Sequence, residues 1–154
     1  MDAQGFGISN GVITILALLA GFCATHTPKI GVIGALFSLL LTDPIGDSYS
    51  IYISMKHTNP DSAKTKLWQT WMYQSVVQLT FLVIVILSPT LKMAFVLCSM
   101  VGVALISYDF SRRLRNHREI FIEGGVMVML ILFTFSIDSM VYRYMNGSKT
   151  PSSL

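Results

Sequence analysis

IGVIGALFSLLLTDPIGDSYSIYI, residues 30–53, is long enough to cross a bilayer as one helix, which takes roughly 17–25 predominantly apolar residues. Its first half, IGVIGALFSLLL, is ordinary lipid-soluble helix. Its second half carries Asp43, Pro44, Gly46 and Asp47 near mid-span. Proline removes a backbone hydrogen bond and kinks a helix, and inside lipid this is tolerated only where protein or a water-lined cavity satisfies the freed groups. A kink or break within about one turn of Asp43 is therefore expected.

Working outward, four further apolar runs flank this one. Upstream, Ile8 to Ala24 (ISNGVITILALLAGFCA) is a span near the short end of the range, separated from residue 30 by the turn THTPK. Downstream, Met55 to Leu67 reads as a polar connection holding Lys56, His57, Asp61, Lys64 and Lys66. Trp68 to Ser88 follows and opens on Trp68, Trp71 and Tyr73, an interfacial aromatic belt. Ser88-Pro89-Thr90 is a tight turn into Leu91 to Tyr108, which ends at Asp109. After the basic loop of Arg112, Arg113, Arg115 and Arg118, a fifth run covers Ile120 to Tyr142, and a Gly/Ser/Pro tail closes the sequence. The expectation is an all-α integral membrane protein: a single domain over 1–154, with five transmembrane helices at about 8–24, 30–53, 68–88, 91–108 and 120–142.

Composition agrees. The chain is 53% hydrophobic and 12% charged, with a mean hydropathy of +0.61, whereas a water-soluble domain carries roughly 25% charged residues. The net charge of +3 does not point to nucleic acid, because the basic residues sit between the spans and form no continuous basic face. They set orientation instead. With five spans, Lys56, Lys64, Lys66, Arg112, Arg113, Arg115 and Arg118 share one side with the N-terminus, against Lys29, Lys92, Arg143 and Lys149 on the other. The positive-inside rule makes the N-terminus cytosolic. Met1 to Gly7 offers no basic region and no A-x-A site, so the first apolar run is expected to stay rather than be cleaved. Cys23 and Cys98 have no metal-ligand or disulfide spacing and read as inert thiols.

Asp43 and Asp47 are the sharpest chemical signal. Four residues apart, they project from one helix face. A carboxylate at mid-membrane costs about 2.5–3.5 kcal/mol on insertion scales, and two so close repel, which favours a shared proton or a bound cation. Oxygen ligands suit hard or borderline divalent metals, and Met55 and His57 near the cytosolic end could add softer contacts. Glu123, with Glu119 one turn earlier, stands near four arginines and could be an interfacial ion pair. Asp138 could pair with Arg143, Lys29 or Lys92, and Asp109 reads as a cap of the fourth span. Gly11, Gly21, Gly31, Gly34, Gly124 and Gly125 permit close helix approach. No nucleophile with a base, no phosphate loop and no HExxH appears, so the acids argue for transport rather than an enzyme.

Three motifs carry a family resemblance. Ser9-Asn10-Gly11 followed by Ala17-Leu18-Leu19-Ala20-Gly21, Leu36 to Ser54 ending in Tyr52-Ile53-Ser54, and Ile122-Glu123-Gly124-Gly125 together resemble the vacuolar iron transporter family, in a short form without the cytosolic metal-collecting domain. Asp43 falls on an acid of the family's second helix. The family's first-helix aspartate is Asn10 here, and its second-helix methionine falls at Asp47. The resemblance implies a homodimer that exchanges a divalent metal, iron or manganese, for protons out of the cytosol. No cofactor would be bound permanently, and membrane lipid, metal ions and protons would be the other partners. Asp43 and Asp47 would be the mid-membrane ligands, with Asn10, Met55 and Glu123 nearby. The membrane would be vacuolar, another endomembrane, or the plasma membrane. Two other readings stand beside it: a small cation channel with an acidic ring, and a non-transporting scaffold that kept the fold, which the loss of charge at Asn10 favours.

Overall fold

The computed structural model describes residues 3–113 and, beyond them, Gly125, Met129, Leu132, Ser136 and Met140. Four helices make up the continuous part: α1 (Ala3–Ala24), α2 (Lys29–Lys56), α3 (Pro60–Leu87) and α4 (Leu91–Arg113). Each is long and apolar enough to cross a membrane. At 1.5 Å per residue, even the shortest exceeds the roughly 30 Å of a hydrocarbon core. The expected fifth span, 120–142, lies outside the described residues apart from those five isolated positions, which are helical and exposed.

The turns are local chemistry. α1 ends with His26 in the left-handed region, φ 55°. The Thr27 N–H reaches the Phe22 carbonyl at 3.1 Å and the His26 N–H reaches that of Cys23 at 3.4 Å, the paired bonds of a Schellman ending. Lys29, at the start of α2, donates from Nζ to the carbonyls of Ile86 (2.9 Å) and Ser88 (2.5 Å). It thereby satisfies open carbonyls at the far end of α3. At the opposite end Asn59 caps α3, its side chain accepting from the Ser62 N–H at 3.1 Å, with Pro60 opening the helix and Asp61 in its first turn.

That cap corrects the expected polar connection at 55–67. The link between α2 and α3 is only His57 to Asn59. Asn-Pro-Asp is a helix start, and nothing between Ser62 and Leu67 breaks the helix, so the lysines ride on its first turns. A second correction concerns Pro44. It lies inside α2 without interrupting it, so of the expected kink or break it is the break that is absent. Proline costs α2 a single backbone bond, at the Leu40 carbonyl, and Pro44 is itself fully buried. Packing of the α2 inner face against α3 holds the helix on both sides of it.

α3 is the centre of the bundle, packing on α2 and α1, while α4 leans mainly on α1. The buried face of α4 follows Ala94, Cys98, Gly102, Ile106 and Asp109, one helix face at near four-residue spacing. Asp109 is therefore 4% exposed within a helix that continues to Arg113, not a cap at its end. The core joins Val12, Ile15, Leu16 and Leu19 of α1 to Val32 and Leu36 of α2 and to Val77, Phe81, Leu82 and Val85 of α3. α1 approaches α3 closely through glycine: a Cβ on Gly7 would stand 2.9 Å from the Thr70 carbonyl oxygen, and one on Gly11 would stand 3.4 Å from Gln74 Cγ. Gly102 plays the same part for α4 against Val12. Gly34 and Gly125 meet nothing. Of the glycines expected at helix contacts Gly11 is clearly one, and the structure adds Gly7 and Gly102.

The outward faces suit lipid. Ile30, Phe37, Leu41, Ile45, Val76, Leu79, Val83 and Leu87 are all exposed, which would be untenable for so large an apolar patch in water. Trp68 and Trp71 meet edge to face at 5.6 Å. Near the same end, Lys56 lies 5.9 Å over the Tyr52 ring, as an interfacial belt requires.

Candidate cation site

Asp43 and Asp47 sit on the face of α2 that packs against α3 and α1, and both are half-buried. The four-residue spacing brings their carboxylates to the same neighbours. Gln74 Nε2, from α3, donates to Asp43 Oδ2 and to Asp47 Oδ2, each at 2.7 Å. One turn further along α3, Gln78 Nε2 donates to Asp43 Oδ2 at 2.6 Å. From α1, Asn10 Nδ2 donates to Asp47 Oδ2. Three helices thus contribute two carboxylates and three carboxamides to one cluster. Gly11 and Gly7 permit it, since the close approach of α1 to α3 puts Asn10 within reach.

Among the described residues every partner of the two carboxylates is a neutral amide. Hydrogen bonding orients the acids without cancelling their charge. The same amides leave a second demand unmet: Gln74 is 0% exposed and Gln78 1%, and the Oε1 atom of each is buried with no hydrogen-bond partner. A buried, unpaired amide oxygen is costly, about 1–3 kcal/mol by mutational measure. Two of them stand beside the pair of acids.

The remaining expectations divide. Asn10 belongs to the cluster, although as a donor where a ligand was expected. Met55 lies eight residues beyond Asp47 on α2, about 12 Å further along the helix at 1.5 Å per residue, and takes no part. Glu123 lies outside the described residues, as do Glu119 and Asp138. Lys29, a suggested partner for Asp138, is engaged with α3 carbonyls. Cys23 is held at the far end of α1, its Sγ against the Leu91 carbonyl at 3.7 Å, and Cys98 is buried in the core. Among the described residues no group of three His, Cys, Asp or Glu could hold a metal by itself.

Gln74 and Gln78 are absent from the sequence-based candidates. The signal was present, since they are two carboxamides four residues apart in a run that carries no charge from Trp68 to Ser88. Ionisable residues are simply more conspicuous in such a run. In lipid a buried glutamine needs partners just as a carboxylate does, so an i, i+4 pair of them marks the polar face of a span. The hydroxyls of α2 are not part of the site: Thr42, Ser48 and Ser50 donate to the carbonyls of Ser38, Ile45 and Gly46.

The class these features define is an all-helical protein with, among the described residues, four helices able to cross a membrane and a polar cluster of acids and carboxamides between three of them. No protein-family model matches the chain, and no curated protein or solved structure matches it either.

Proposed function

We infer that the chain is a divalent metal ion transporter of iron or manganese type, exchanging metal for protons and exporting it from the cytosol. It has five spans and a cytosolic N-terminus. The observation that carries this reading is the pair of carboxylates inside apolar helices whose partners, among the described residues, are uncharged amides. Removing two anions from water without a countercharge costs several kcal/mol each. A structural ion pair would supply a lysine or arginine, and among the described residues none is bonded to either acid. Among the described residues that leaves a proton or a metal ion to neutralise the pair, and alternation between the two is the chemistry of proton-coupled exchange. The loss of charge at Asn10, which favoured a scaffold, weighs less now that Asn10 is bonded to Asp47.

The homodimer implied by the family resemblance has a suitable surface. Gly34, Ser38, Thr42, Gly46, Ser50 and Ser54 run down one exposed face of α2 at four-residue spacing, and small residues so placed let membrane helices approach closely. No catalytic activity and no permanent cofactor belongs to this reading. The membrane is vacuolar, another endomembrane or the plasma membrane.

The test is metal flux into proteoliposomes, with iron, manganese, zinc and cobalt compared across a pH gradient. Asp43→Asn should abolish flux while folding and oligomeric state survive, because the amide keeps the size and acceptor capacity of the acid but not its charge. Undiminished flux through a stable Asp43→Asn protein would sink the assignment.

A further inference from the structure

We propose that Gln74 and Gln78 are cation ligands, completing an all-oxygen site for a hard divalent cation of the Mn2+ or Ca2+ kind with Asp43, Asp47 and Asn10. The inference rests on the transport reading above and shifts its substrate class from iron toward hard divalent cations. Its observation is separate from the acids: two buried Oε1 atoms without partners, on side chains whose Nε2 atoms already touch the carboxylates at 2.6–2.7 Å. The oxygen and nitrogen of one amide occupy nearly equivalent positions, so a half-turn of the terminal torsion exchanges them. In the structure the N–H groups face the carboxylates. With a cation between the acids, the amides would turn their oxygens toward it.

Rotation also moves each Nε2 into the buried place that its Oε1 leaves, a cost the charge of the ion has to outweigh. The orphaned oxygens gain a positive partner, and the carboxylates, now neutralised by the ion, no longer need amide donors. Asn10 can turn in the same way, since its Nδ2 is the atom facing Asp47. The resulting donor set is two carboxylates and three amide carbonyls from α1, α2 and α3, with no sulfur or imidazole among them. Carboxylate and carbonyl oxygens suit Mg2+, Ca2+ and Mn2+, whereas imidazole and thiolate select zinc, copper and softer ions. Among the described residues the soft groups stand elsewhere, with Met55 about two turns away along α2 and Cys98 in the apolar core.

The experiment measures Mn2+ binding to the purified full-length protein in detergent, read by loss of the free-ion electron paramagnetic resonance signal. The variants are Asp43→Asn and, at each glutamine in turn, Leu and Glu. Wild type should bind and Asp43→Asn should not. Gln74→Leu and Gln78→Leu should each weaken binding at least tenfold, and millimolar Ca2+ should displace Mn2+ from wild type. Gln74→Glu or Gln78→Glu decides the role, because glutamate keeps the oxygens and loses the N–H donors: retained binding means that the oxygen ligates. Leu variants that bind like wild type would overturn the glutamine assignment and leave the transport reading standing. So would folded Glu variants, monodisperse by size exclusion, that bind nothing. Failure of Ca2+ to displace Mn2+ would overturn the hard-cation class. A wild-type protein that binds no Mn2+ would overturn this inference, while the flux comparison across iron, manganese, zinc and cobalt would still decide the transport reading.

Discussion

At the scale of single residues, the candidate site is graded in wetness, and that grading makes a forecast. Asp43 is held by two glutamines that are almost wholly buried, whereas Asp47 shares Gln74 and otherwise relies on the half-buried Asn10. Coulomb interactions weaken as the local dielectric rises, so Asp47→Asn should reduce metal flux by less than Asp43→Asn does. Equal loss in both variants would mean that the two acids act as one indivisible group. His26 offers a prediction of the opposite sign. It occupies the left-handed position of the α1 ending, φ 55°, where a β-carbon costs roughly 1–2 kcal/mol and glycine costs little. His26→Gly should therefore raise stability by about 0.5–1 kcal/mol after allowing for glycine's larger unfolded-state entropy. The readout is the unfolding midpoint in detergent, and a lowered midpoint would show that the ring contact to the Ala24 carbonyl, at 3.2 Å, matters more than the backbone. The acids were legible in the sequence because charge in an apolar run is conspicuous. Their partners were not, because a neutral amide looks like any tolerated polar residue until a neighbouring helix is known to face it.

At the scale of helices, the contacts depend on where a side chain is missing. Gly7 faces the backbone of α3, so the methyl of Gly7→Ala would press on the Thr70 carbonyl from 2.9 Å and the two helices would have to part. Overpacking of this kind costs about 1–3 kcal/mol, and here it would also draw Asn10 away from Asp47. Gly34→Ala meets nothing and should leave a single subunit unaffected. Comparing the two in thermal unfolding checks the packing directly: equal behaviour would contradict the α1–α3 approach. At the start of α3, Asn59→Ala removes the acceptor for the Ser62 N–H and should cost about 1 kcal/mol. Helix identity was legible from apolar length alone. Helix ends were not, because Lys64 and Lys66 suggested a loop although the Asn59-Pro60-Asp61 start signal stood a full turn earlier. Nor was the continuity of α2, because one lost backbone bond weighs less than the packing of a whole buried face.

At the scale of the whole molecule, the number of crossings decides which compartment each end meets. α1 and α2 are joined by a four-residue turn, and α2 and α3 by three residues, so successive helices run in opposite directions. The N-terminus and the His57–Asn59 link thus lie on one side, and the loop between α3 and α4 on the other. Lys56, Lys64 and Lys66 are at the first of these sides, and α4 returns to it with Arg112 and Arg113. On the proposed reading the concentration of basic residues there makes it the cytosolic side, however many crossings come after α4. The side of the C-terminus depends on that number: a further crossing by 120–142 puts residue 152 opposite the arginines, and its absence leaves residue 152 with them. Single cysteines at Ser62, Asn116 and Ser152 separate these cases when labelled by a membrane-impermeant maleimide on oriented vesicles. The native thiols interfere little, since Cys98 is buried and Cys23 partly so. The expected result is labelling of Ser62→Cys and Asn116→Cys from the cytosolic side only, and of Ser152→Cys from the other side only. Labelling of all three from one side would reduce the protein to four crossings. An outcome with Ser62→Cys reacting only from the non-cytosolic face would invert the orientation, and export from the cytosol would have to be given up.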